Sequence, residues 1–200
     1  MHCSPGDGER INSFALVSYI PDPLGSYLSN LRQQLVPACN ALSHVTVLPP
    51  RCLADPQKAW EQTLERLGQF SSFELQLTDI EVFPATQVIY LALGRGYEQL
   101  VRMHDALNSD AMAFAEPYEY HPHVTLAQDL TSENLAETLL AARRSWAECP
   151  FERTYTVNPL MFVQNALHAP SGKSFWIDLE QHRLNGHPIP DQPVSAHLLA

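Results

Sequence analysis

The feature that most constrains this chain is a short string that occurs twice. Ser43-His44-Val45-Thr46-Val47-Leu48 and Pro122-His123-Val124-Thr125-Leu126-Ala127 each carry a His-Val-Thr triplet followed by an apolar residue. β-branched and apolar residues at this density read as strands, and in a strand residues two apart share a face. His44 and Thr46 therefore share one face, as do His123 and Thr125, with Val45, Val47, Val124 and Leu126 turned to a core behind them. The two histidines lie 79 positions apart in a chain of 200 residues, which suggests two related halves.

The flanking elements fit that reading. Ser13–Ile20 is a strand, and Pro21-Asp22-Pro23 ends it and opens a helix with Leu24, Leu28, Leu31 and Leu35 at helical spacing, stopped by Pro37. The first motif strand runs from His44 to Leu48 and is closed by Pro49-Pro50. Asp55 caps a helix with Pro56 at its first position, running through Trp60, Leu64 and Leu67. Residues 73–83, with an irregularity at Thr78-Asp79, and 87–93 form a hairpin. A helix follows Gly96, with Leu100, Met103, His104 and Leu107 on one side; His104 reads as structural. Residues 112–120 form a loop in which Glu116 and Glu119 are solvated. The second motif strand, a helix from Thr131 to about Glu148, residues 151–157 and 160–164 as strands or one bent strand, and a last strand at 175–181 complete the order. The second half, like the first, is expected to end in a hairpin. This is an α+β pattern: two antiparallel-rich sheets with outer helices. Residues 1–11 read as a flexible leader, 12–182 as one domain, and 183–200 as a loosely ordered tail.

Composition narrows the function. Net charge is −10, with 12 Lys and Arg and no basic run longer than Arg143-Arg144, which argues against coating long nucleic acid but leaves room for a local phosphate site. There is no apolar run of membrane-spanning length and no secretory pattern at the N-terminus, so a cytoplasmic monomer that does not engage a membrane is the expectation. Cys3, Cys39, Cys52 and Cys149 make no paired spacing and read as free thiols.

Two imidazoles and two hydroxyls facing each other match the needs of phosphodiester chemistry. One imidazole takes a proton from the attacking oxygen and the other gives one to the leaving oxygen. Each Thr hydroxyl donates to a non-bridging oxygen. A single His-x-Thr recurs by chance; two copies, each in a strand and each before a helix, weigh differently. His121-Pro122-His123 raises a zinc reading, which the proline between and the lack of a companion ligand set make weak. No metal and no cofactor are expected.

On His44-Val45-Thr46-Val47-Leu48 and His123-Val124-Thr125-Leu126-Ala127, with the element order from about 12 to 182, the sequence resembles the two-histidine (2H) phosphoesterase superfamily, which includes the RNA 2',3'-cyclic phosphodiesterases also called 2'-5' RNA ligases. The resemblance implies a bilobed pseudo-twofold fold around a central cleft, with His44 and His123 as the acid/base pair and Thr46 and Thr125 on the phosphate. It implies hydrolysis of 2',3'-cyclic phosphate at RNA ends or of small cyclic nucleotides; ligation at the same residues and a non-catalytic nucleotide-binding module are the alternatives. Two departures stand out. Gln128 and Asp129 occupy a place where many relatives carry a basic residue, and Pro49-Pro50-Arg51 replaces a glycine-bearing loop. Tyr19, Tyr90 and Tyr120 are candidates for stacking or walling a base, an aromatic of the core being the alternative for Tyr19 and Tyr90, and Arg51 is a candidate for a cleft charge, a solvated arginine being its alternative.

Overall fold

Each motif strand takes the edge of its own sheet. The computed structural model describes residues 9–37, 39, 41–168 and 173–185. In it, β1 (Glu9–Tyr19) leads through α1 (Leu24–Leu35) to the first motif strand, β2 (His44–Arg51), and then to α2 (Pro56–Leu67). The hairpin β3 (Phe73–Phe83) and β4 (Val88–Leu93) leads through α3 (Tyr97–Leu107) and a short 3-10 turn (Asp110–Met112) to the second motif strand, β5 (Val124–Ala127). Then come α4 (Leu135–Ala147), β6 (Thr154–Val157), β7 (Leu160–His168) and β8 (Lys173–His182). One sheet has the order β2-β1-β7-β8 and the other β5-β4-β3-β6, and every pairing is antiparallel.

The two halves interlock. α1, which precedes β2, packs on β5, and α3, which precedes β5, packs on β2. α1 also touches α4 as α3 touches α2, and β2 touches β5. The motif strands therefore meet near a pseudo-twofold axis, each backed by a helix of the opposite half. One continuous core joins the sheets: Leu16, Val45 and Val47 from the first, Leu75, Leu77, Leu91, Val124 and Leu126 from the second, and Leu28, Leu100 and Met103 from the helices. A smaller cluster of Ala15, Val17 and Val163, covered by Tyr19, Met161 and Trp176, lies on the other face of β1.

Local signals explain most boundaries. Asp55 accepts from the Lys58 amide at 3.0 Å, with Pro56 opening α2. The expected irregularity in β3 is a register shift between Leu77 and Ile80. Several expectations are corrected. β2 does not close at Leu48 but runs through both prolines to Arg51, which its edge position allows because a proline removes a donor only where a neighbour needs one. β1 begins at Glu9, inside the stretch expected as a leader, and pairs with Leu167; residues 1–8 lie outside the described residues. The tail is held at its start, with Leu184 buried at 4% exposure, its amide on Asn158 Oδ1, and Asn185 bridged to Ser71; residues 186–200 lie outside the described residues. β6 and β7 are two strands in different sheets, not one bent strand. At Asn158-Pro159 the chain leaves the second sheet for the first, and the hairpin is β7–β8. α4 also starts later than Thr131, after a turn in which Asn134 Oδ1 accepts the Thr131 amide. Cys39, Cys52 and Cys149 are free thiols. Among the described residues, no helix is long and apolar enough to cross a membrane.

Candidate functional site

Alternation along the motif strands sorts their side chains. Val45, Val47, Val124 and Leu126 are fully buried, so His44, Thr46, His123 and Thr125 turn the other way, toward the meeting of the halves. Cross-strand register sets an aromatic beside each motif: Tyr19 lies opposite His44, and Tyr90 opposite Thr125.

The two imidazoles are anchored in the same way. His44 Nδ1 is 2.7 Å from the Leu42 carbonyl, and His123 Nδ1 is 2.7 Å from the His121 carbonyl, in each case two residues upstream. A carbonyl only accepts, so Nδ1 carries the proton and donates. Nε2 of each ring is then a free base when the ring is neutral and a donor when it is protonated, which is the pair of states that proton transfer uses. Both rings are pushed toward neutrality. Burial lowers the His44 pKa to about 4, assisted by the Arg32 charge and the nearness of His123, against the opposing pull of the Leu42 carbonyl. Burial likewise lowers His123, with His121 and Arg32 adding to it and the His121 carbonyl opposing. A bound phosphate supplies the opposite charge and draws both values back up.

Aromatic rings fix the surroundings. Phe83 stacks on Tyr90 at 4.0 Å, and both meet His123 edge-on, at 5.0 and 5.2 Å. Phe83 and Tyr90 also meet His121 edge-on. Tyr19 meets His44 edge-on at 6.3 Å and donates its hydroxyl to Asp178 at 2.6 Å. A cavity of about 610 Å³ opens beside the motifs, lined by Thr46, His123, Thr125, Phe83, Phe114 and Tyr118 among others. Tyr120 and Glu119 are also in its wall, and among the described residues no Lys or Arg is.

The structure thus brings His44, Thr46, His123 and Thr125 together. Tyr120 lines the cavity, but its hydroxyl is already committed, donating to the Thr46 carbonyl at 2.7 Å while its ring stacks on His104 at 3.9 Å. Tyr90 is 3% exposed, sits behind Phe83 and donates to Glu81; burial pushes its pKa up to about 12. Phe83 is therefore the ring of that stack that reaches the cavity.

Arg51 is a correction, both to the cleft charge and to the solvated alternative. It is 2% exposed and donates to the Pro49 and Met112 carbonyls, to Asn108 Oδ1 and to Glu116 Oε1. Glu116 is correspondingly no solvated residue: it pairs with Arg51 at 2.7 Å and faces His104 Nε2 at 3.0 Å. This buried network ties the end of β2 and helix α3 to the segment before β5, and so holds the cavity wall that carries Phe114, Tyr118 and Tyr120. Sequence reasoning missed Arg32, which is 5% exposed on α1 and close enough to influence both motif histidines. Its signal was present, since it falls four residues after Leu28 inside the apolar stripe. His121 and His123 are not joined by a further His, Cys, Asp or Glu in a metal-holding group among the described residues.

Comparison with known proteins agrees with the geometry. A family model described as the 2'-5' RNA ligase superfamily matches residues 21–157, which contain both motifs. A protein of Geobacillus sp. (strain WCH70) named "Putative phosphoesterase" is 29% identical over 105 residues, 48% of this chain and 60% of that protein; the chain thus matches under two thirds of that relative's length. E. coli LigT in its apo form superposes with a TM-score of 0.61 at 16% identity, covering 89% of this chain and all of LigT. LigT complexed with 3'-AMP gives 0.60 at 17% identity, over 90% and 99%. TT0787 of Thermus thermophilus gives 0.60 at 16%, over 88% and 100%. At these identities the likeness is one of fold.

Proposed function

Because the chain belongs to the 2'-5' RNA ligase superfamily, we propose that it is a phosphodiesterase that opens 2',3'-cyclic phosphates, at RNA ends or on small nucleotides, by two-histidine acid/base catalysis without a metal. The observation that carries this reading is the mirrored anchoring of the two imidazoles, each with Nδ1 on a carbonyl at 2.7 Å. In the step, water attacks phosphorus and one Nε2 takes its proton. The bond from phosphorus to one ribose oxygen breaks, and the other Nε2–H protonates that oxygen. The product is a phosphomonoester beside a free hydroxyl. Thr46 and Thr125 donate to the non-bridging oxygens as negative charge builds on them. Phe83 and the other rings of the cavity wall give a base a surface to stack on. A wall with Glu119 and, among the described residues, no Lys or Arg favours a short substrate over a long polyanion.

A panel of 2',3'-cyclic nucleotides and of oligoribonucleotides ending in a cyclic phosphate tests the reading. Wild type should release phosphomonoesters with a bell-shaped pH profile. His44→Ala and His123→Ala should each abolish turnover, and retention of activity in either variant removes the assignment. The same panel run with an added 5'-hydroxyl oligoribonucleotide reads the joining reaction at the same residues, in which that hydroxyl attacks the cyclic phosphate in place of water and the 3'-oxygen leaves, protonated, as a hydroxyl.

A further inference from the structure

Among the described residues two arginines are almost fully buried, and they are treated differently. Arg51 has a carboxylate, Glu116, at 2.7 Å. Arg32 has no carboxylate partner among the described residues. Among the described residues its Nη1 reaches only the Leu42 carbonyl, at a long 3.4 Å, and its Nε is buried without a partner. A buried cation is costly unless it is paired and its donors are satisfied. The pseudo-symmetry makes the contrast sharper. Leu28, Leu31 and Arg32 occupy the same places in the buried stripe of α1 as Leu100, Met103 and His104 in α3. His104 faces carboxylates on both ring nitrogens, Asp105 and Glu116. At the corresponding place in the first half, the charge is permanent and no carboxylate meets it.

That charge sits at the back of the motif. The Leu42 carbonyl that receives Arg32 Nη1 is the one that receives His44 Nδ1. α1 grips the same segment again one turn earlier, where Ser29 Oγ accepts the Ser43 amide at 3.0 Å. We propose that Arg32 is the fixed positive charge of the anion site, a positioning residue that holds His44 through the shared Leu42 carbonyl and whose missing counter-ion is the phosphate of the substrate. The identity of the anion rests on the phosphodiesterase reading; the presence of an uncompensated cation does not.

The groups that face His44 are Arg32 from α1, His123 at the start of the second motif, and Tyr19 from β1, whose hydroxyl is held by Asp178 of β8. Burial and Asp178 raise the Tyr19 pKa, so it contributes no charge in the working range. Arg32 and His123 are thus the charges that shift His44, and both lower its pKa.

Arg32→Gln keeps a donor for the Leu42 carbonyl and removes the charge; Arg32→Lys keeps the charge. Inorganic phosphate, titrated calorimetrically at neutral pH into the full chain, should bind Arg32→Gln roughly tenfold or more weakly than wild type, a hydrogen bond or close contact to a charged group being worth that much. Arg32→Lys should recover most of the loss. In the pH–rate profile, the limb assigned to His44 should move to higher pH in Arg32→Gln, since a lost positive charge favours the protonated ring. A loss of fold would also weaken phosphate binding and release His44 from burial, so the variants are compared at matched circular-dichroism spectra and thermal midpoints, and recovery in Arg32→Lys marks the charge. In wild type itself, phosphate should shift the Arg32 side-chain Nε–H resonance, which keeps the question open to measurement if Arg32→Gln does not fold. Phosphate affinity and pH limb unchanged in Arg32→Gln, or an Arg32 resonance indifferent to phosphate in a wild type that binds it, overturns the role of Arg32 and leaves the phosphodiesterase reading standing. A wild type that neither binds phosphate nor turns over cyclic phosphates overturns both.

Discussion

The pairing of Arg51 with Glu116 should be worth several kcal/mol, and it can be taken apart one side at a time. Their side chains are 1% and 10% exposed. Arg51→Met removes four hydrogen bonds, of 2.9 Å to Pro49 O and 2.7 Å to Asn108 Oδ1, Met112 O and Glu116 Oε1. Glu116 is then left with His104 alone at 3.0 Å. Leaving one member of a buried pair uncompensated costs about 3–5 kcal/mol. In a chain of this length that lowers the melting midpoint by about 6–20 °C, at roughly 2–4 °C per kcal/mol. Glu116→Gln should cost less, because the amide keeps an acceptor for Arg51. The double variant Arg51→Met/Glu116→Leu should lose less stability than the sum of the losses of Arg51→Met and Glu116→Leu, since exchanging both partners for apolar groups removes the desolvation penalty as well as the attraction. Urea unfolding followed by circular dichroism gives all the free energies. An Arg51→Met variant within about 1 kcal/mol of wild type, or a double variant whose loss equals the sum of the singles, would falsify the picture of a desolvated, coupled pair. The same variants should raise KM more than they lower kcat, because the network holds the cavity wall and not the motif strands.

Other outcomes follow from the site. His44 is held below its ordinary pKa of 6.5, at about 4, so the unfolded chain binds the proton first as pH falls; stability should be full above about pH 6.5 and decline toward pH 4, and the decline in urea midpoint should be smaller in His44→Gln. Thr46→Val and Thr125→Val preserve shape and strand preference while deleting one donor, so each should lower kcat by about 10²–10³-fold with the thermal midpoint little changed; unaltered turnover removes the phosphate-clamp role. Dialysis against EDTA should leave turnover of a 2',3'-cyclic nucleotide intact, and loss restored by zinc would replace the metal-free mechanism.

Much of the site was readable because it obeys the strand period. Val45 and Val47 alternate with His44 and Thr46, and the same rhythm recurs at Val124 and Leu126. Arg51 shows where such reading fails. Continuing the Val45–Val47 alternation places it on the core side, but Pro49-Pro50 looked like the end of the strand, and the partners that make burial tolerable lie 57 and 65 residues further on. The exchange of sheets at Asn158-Pro159 is hidden for a related reason: β6 and β7 have ordinary strand compositions, and what separates them is the free edge that each finds on β3 and β1. Arg32 was visible as a charge inside an apolar stripe, yet only the structure shows that, among the described residues, no carboxylate meets it.

The placement of both motif strands at sheet edges also bears on solubility. A sheet edge presents unpaired backbone groups that invite another chain to dock and start an aggregate. Here one edge of each sheet is turned inward, β2 toward β5, so two of four sticky borders are sequestered inside the molecule. The borders left outward are β6 and β8. β6 is four residues long and runs into Pro159, and β8 carries Asp178, Glu180 and His182 along its length. The arrangement that assembles two imidazoles at one place thereby also takes two strand edges out of reach of a second copy of the chain.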